Sequence, residues 1–196
     1  MARANRPSRP LKTLHFFVCE DSKSSKYYLE GLGKAKGLNI QAQNAYGTSP
    51  ENVLRSAKNK LKEFKDEGAA KVYCLFDKDD CSDEQFKQII ARCRKAGIVD
   101  AVSVPCYEYW LLLHLKRTNQ YFGSSQECCE TFRSEFNRKF RTDYNIKQLK
   151  AKNDIFAALK DCLETALANA ESLELAEGGC PYTNMHRVIK GMLNQS

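Results

Sequence analysis

Short apolar runs alternate with amphipathic stretches through the first hundred residues. Thr13 to Cys19 (TLHFFVC) joins β-branched and aromatic residues with little polar interruption, which predicts a buried strand. A helix is expected through KYYLEGLGKAK, stopping near Gly37, and Asn39 to Tyr46 reads as a weaker strand before the turn-forming GTSP. Ser49 and Pro50 then open a helix, because serine caps free N–H groups and proline is tolerated in the first turn. Its stripe is Val53, Leu54, Ala57, Leu61 and Phe64, and Gly68 is expected to close it. Lys71 to Phe76 (KVYCLF) predicts another buried strand. Ser82 with Gln85 has the spacing of a capping box, ahead of a helix carrying Phe86, Ile89, Ile90 and Cys93 on one face and ending at Gly97. Ile98 to Val104 predicts a fourth strand, stopped by Pro105.

This β-α-β-α-β-α-β order implies right-handed crossovers and a four-stranded parallel sheet covered on both faces, an α/β fold. The rest reads as helical, over Tyr107–Leu115, Ser125–Phe140, Asp154–Leu173 and Thr183–Leu193. Residues 1–12 form a basic arm, 13–122 the α/β core, and 123–196 a helical extension packed on it. Phe132, Phe136, Phe140 and Tyr144 recur every four residues, a spacing that marks core more often than a base-stacking platform.

Composition narrows the function classes. With 196 residues the chain is long enough for one real core. Its longest apolar candidate, Tyr109 to Leu115, is far shorter than the roughly 20 residues of a membrane span, and no export signal is read at the start. Nine cysteines without a regular framework favour a reducing cytosol. No CxxC or HxxxH spacing suggests zinc, so buried free thiols are expected. The net charge of +7 leans toward polyanionic partners. It is concentrated at Arg3, Arg6, Arg9 and Lys12, and again at Arg133, Arg138, Lys139, Arg141, Lys147, Lys150 and Lys152. Each cluster is either a solvated face or a nucleic-acid contact.

Candidate chemistry follows from topology, since ligands of an open parallel sheet bind beyond the carboxyl ends of the strands. Glu20 and Asp21 follow the first strand there, and Asp77, Asp79 and Asp80 follow the third. In an extended chain Asp77 and Asp79 project to one side and Lys78 to the other. Converging carboxylates repel one another unless a proton or cation intervenes, and hard oxygen donors suit Mg²⁺ or Mn²⁺. Asp21 and Asp80 are read instead as caps or turn residues.

Four blocks, VCEDSKSSKYYLEGL, CLFDKDD, PCYEYWLLLH and TNMHRVI, resemble in content and order the RloB-like proteins. The resemblance runs from about Leu14 to Leu193. It implies a toprim-type fold, in which a glutamate after the first strand and a DxD after the third hold the metal. Those positions fall on Glu20, Asp77 and Asp79. It further implies a metal-dependent nuclease in antiphage or abortive-infection defence, beside an ATPase partner. Relatives often carry glycine where Asp21 stands and a second glutamate where Ser24 and Ser25 stand, so a fifth ligand or second metal loses its support here.

Other residues join on chemical grounds. Lys23 and Lys78 are candidates to steady transition-state charge. Glu108, in an apolar helix after the fourth strand, needs a partner and is a candidate catalytic residue. His114 reads as a satisfied, partly buried histidine, while His186 and Arg187 are either packing residues or phosphate contacts. Arg138, Lys139 and Arg141 complete the candidate nucleic-acid surface. Competing classes are a primase-like nucleotidyl transferase, for which no GxxxxGK[ST] loop is visible, and a receiver-type phosphoacceptor, disfavoured because Pro105 leads into an apolar helix. A third is a non-catalytic nucleic-acid-binding or regulatory subunit of a defence ATPase complex.

Overall fold

A computed structural model describes residues 12–20, 23–47, 49–64, 70–78, 81–173, 176–177 and 179–195. The elements are β1 (Leu14–Cys19), α1 (Lys23–Lys36), β2 (Asn39–Asn44), α2 (Pro50–Glu63), β3 (Ala70–Asp77), α3 (Asp83–Lys95) and β4 (Val99–Val104). There follow α4 (Glu108–Leu113), α5 (Ser125–Phe140), α6 (Ile146–Lys150), α7 (Ile155–Leu159), α8 (Leu163–Ser172), β5 (Tyr182–Thr183) and α9 (Met185–Leu193). The local signals explain much of this. Ser49 caps α2, the Ser82–Gln85 capping box is formed on α3, and Gly37 and Gly97 adopt positive φ where their helices end. Gly68 lies outside the described residues.

The sheet has five strands in the order β2-β1-β3-β4-β5. The first four are parallel, as expected. The expectation of a four-stranded, wholly parallel sheet is corrected by β5, which pairs antiparallel with β4 and makes the sheet mixed. Two strand residues are too few for a pattern to reveal, which is why the sequence pattern assigns Thr183 to the following helix. Asn184 extends the pairing. Its side chain accepts from Val102 N (2.8 Å) and donates to the Asp100 carbonyl (3.0 Å) and carboxylate (2.8 Å).

Alternation along the strands divides the interior into two cores. Phe16, Val18, Val72, Cys74, Phe76, Val102 and Val104 face the layer of α2 and α3. Phe17, Cys19, Tyr73, Leu75 and Ala101 face α1 and the C-terminal helices. All six residues of α4 are buried, five of them in that second core, with Phe132 and Phe136 of α5 in the same core as the aromatic spacing predicts.

The single helix expected over Asp154–Leu173 is instead α7, a 3₁₀ turn at Lys160–Cys162, and α8. Neither glycine nor proline interrupts it, so tertiary packing causes the break. α7 lies on α1, where a Cβ at Gly31 would come within 2.6 Å of Phe156 Cβ, while α8 packs on α4 and α9. The short α6, capped by an Asn145–Gln148 box, was not foreseen.

His114 is wholly structural in its contacts. It is buried, with Nε2 2.9 Å from the Tyr28 hydroxyl and Nδ1 3.1 Å from the Trp110 carbonyl. Burial lowers its pKa to about 4. The unfolded chain, with an imidazole near 6.5, therefore binds a proton that the folded chain refuses, and stability falls as pH drops below that value. His15 and His186 are shifted the same way, each by burial first. Urea titrations at pH 7 and pH 5 are expected to differ by about 2 kcal/mol from His114 alone. The dependence should flatten in His114→Gln; an equally steep loss in that variant would move the effect elsewhere.

Candidate metal centre and buried carboxylate

Glu20 is carried over the end of β1 by the bond from its own N–H to the Leu75 carbonyl (3.0 Å), which extends the β1–β3 ladder. Its side chain then turns across the edge, and Oε2 accepts from the backbone N–H of Asp77 at 3.1 Å. The two acids predicted from separate strands are thus brought together, both partly buried at the carboxyl edge. Asp79, the third predicted ligand, lies outside the described residues, as do Asp21, Asp80 and the arm through residue 11. The Asp77 position belongs to a polar row. It pairs in register with Ser103 of β4, and Ser103 with Thr183 of β5, so the three side chains share one face. Ser103 Oγ and Thr183 Oγ1 are 3.0 Å apart.

Glu108 follows β4 at the same edge and is only 2% exposed. Three elements compensate it. Ser24 of α1 donates to Oε1 (3.0 Å), Lys150 Nζ of α6 lies 3.5 Å from Oε1, and the Cys129 thiol of α5 donates to Oε2 (3.5 Å). Burial works against the Lys150 ammonium, but the Glu108 carboxylate outweighs it and holds the lysine above its ordinary pKa. Tyr107 sits within electrostatic reach of both Glu108 and Asp77. Burial first, and those charges among others, push its phenol up, and its hydroxyl has no hydrogen-bond partner among the described residues.

The predicted basic residues are spread over several elements. Lys23 is exposed at the start of α1, and Lys78 pairs with Asp83 at the start of α3. Arg138 and Lys139 close α5, with Arg138 held to Glu135, and Arg141 caps that helix at φ 53°. His186 and Arg187 line a cavity of about 350 Å³ with Tyr182, Thr183, Lys190 and Glu171. His186 Nδ1 and the Tyr182 hydroxyl are buried there without a hydrogen-bond partner among the described residues. Sequence reasoning did not anticipate Tyr182, Lys190, Ser24 or the pairing of Lys150 with Glu108. Lys150 stood out only as one basic residue among many.

No helix among the described residues is long and apolar enough to cross a membrane. No curated protein and no solved structure matches the chain significantly. A family model described as RloB-like protein matches residues 16–192, which takes in most of β1, all of β2 to β5 and both acids at the sheet edge. The chain belongs to the RloB-like protein family.

Proposed function

We propose that the chain is a toprim-type, metal-dependent nuclease that hydrolyses phosphodiester bonds of RNA or DNA in antiphage or abortive-infection defence. The observation that carries this reading is the meeting of Glu20 and Asp77 across the carboxyl edge of the sheet, with Glu20 Oε2 on the Asp77 N–H. Hard carboxylate oxygens on two partly buried residues fit Mg²⁺ or Mn²⁺, and Asp79 would complete the set. When bound, the cation supplies neutralisation of phosphate charge and of the leaving oxygen.

The chain's own groups do the rest. Asp77 and Asp79 would hold the cation, and Glu20, fixed by the Asp77 amide, would ligate it or accept a proton from the attacking nucleophile. Glu108 acts from behind this edge through Ser24 and the β4–α4 turn. Lys23, Lys78, Arg138, Lys139, Arg141, His186 and Arg187 contact the polyanion, and the cavity around His186 suits a phosphate group. Nine free cysteines accord with action in the cytosol, and the partner is an ATPase of the same defence system.

The test is direct. The purified chain, alone and with its ATPase partner, is incubated with end-labelled single- and double-stranded RNA and DNA in Mg²⁺, Mn²⁺ or EDTA. Cleavage that requires the divalent cation is expected. Binding without cleavage under every condition would instead make the chain a regulatory, nucleic-acid-binding subunit.

A further inference from the structure

A second cluster of ligating side chains lies behind the sheet edge and is chemically unlike the first. Cys106 sits in the turn between β4 and α4, Glu108 opens α4, and Cys129 lies on α5. All three are buried, and one donor atom from each lies within 4.8 Å of the others. Cys106 Sγ is 3.8 Å from Cys129 Sγ, and Cys129 Sγ is 3.5 Å from Glu108 Oε2. A tetrahedral zinc centre with Zn–S near 2.3 Å and Zn–O near 2.0 Å has edges of about 3.8 Å between two sulfurs and about 3.5 Å between sulfur and oxygen. Both separations match those edges.

The surroundings also suit a cation. Ser24 and Lys150 both engage Oε1 of Glu108, which orients the carboxylate and leaves Oε2 toward the sulfurs. Two thiolates and one carboxylate around a dication leave one negative charge. The Lys150 ammonium cancels it, so the loaded cluster is neutral, as a buried site requires. Lys150 is 45% exposed and can shift outward to make room.

We propose that Cys106, Cys129 and Glu108 form a three-ligand site for a thiophilic divalent cation, Zn²⁺, with the fourth tetrahedral corner open to water. Loading releases one proton from each thiol, two in all, and forms two Zn–S bonds and one Zn–O bond. The ion would tie the β4–α4 turn to α5. It does not depend on the oxygen-ligand centre at Glu20 and Asp77, whose preference is for harder cations.

The reduced, metal-free full chain is titrated with Co²⁺ in excess Mg²⁺, which occupies oxygen-only sites, and then with Zn²⁺. One Co²⁺ per chain is expected, with a thiolate-to-cobalt charge-transfer absorption, displaced by one Zn²⁺. Two protons should be released per Zn²⁺ in weak buffer. Cys106→Ser and Cys129→Ser should each lose about half the charge-transfer intensity and at least the roughly 10–100-fold in affinity that even an outer-shell partner can be worth. Absence of the charge-transfer band in the unaltered chain overturns the proposal whether or not the variants fold. So does an undiminished band in the folded Cys106→Ser/Cys129→Ser double variant.

Discussion

Glu20→Gln and Asp77→Asn are each expected to reduce metal-dependent cleavage by about 10²–10³-fold or more while the chain stays folded. The loss corresponds to about 3–4 kcal/mol of transition-state stabilisation, the usual scale for removing one preorganised charge contact. The fold should survive because glutamine keeps a carbonyl oxygen where Glu20 Oε2 accepts the Asp77 N–H. Removing one of several like charges also relieves repulsion, so without metal the variants should melt at or slightly above the parent temperature. Cleavage rates at saturating Mn²⁺, read beside melting curves in EDTA, decide the matter. Full activity in both variants, or unfolding in both, would remove these acids from the centre.

Lys150→Met is expected to cost about 2–3 kcal/mol in EDTA, where bound cations play no part. Stripping one partner from a fully buried ion pair costs roughly 3–5 kcal/mol, and the half-exposed lysine lowers that figure. The damage arises from what is left behind, a carboxylate 2% exposed with, among the described residues, only Ser24 and a thiol to satisfy it. Adding Glu108→Gln should therefore recover most of the loss, since the amide keeps the shape and sheds the charge. Urea denaturation of the two single variants and the double closes the cycle. A double variant as unstable as the sum of the singles would mean that the pair contributes no mutual stabilisation.

The contrast between these two clusters shows what a sequence can and cannot disclose. Glu20 and Asp77 were legible because one directly follows β1, the other ends β3, and parallel topology delivers both to one edge. The four parallel strands were legible for the same local reason, as were the capped starts of α2 and α3. Glu108 announced itself as a charge in an apolar block, but its partners come from α1, α5 and α6, as far as 84 residues away in the chain. Cys106 and Cys129 are 23 residues apart with a helix between them, a spacing that no short zinc motif describes. β5 failed differently. Its two residues become a strand only because β4 offers an unpaired edge, and the break between α7 and α8 exists because α1 receives the first while α4 and α9 receive the second.

The seal on β4 sets the order in which the sheet can be completed. Ser103 meets Thr183 across 80 residues of chain, and Asn184 reaches back 84 to Asp100. Closing so long a loop must wait for its entropic cost to be met by contacts that form together, which places it late in folding. During synthesis β1 to β4 emerge first, with the outer edge of an almost wholly buried strand, VDAVSV, still bare. A bare apolar edge recruits strands from other chains. The opposite border is safer, since β2 (NIQAQN) is largely polar and has no fully buried residue. The nascent chain's vulnerable interval therefore lasts from the emergence of β4 until residues 182–184 arrive to close it.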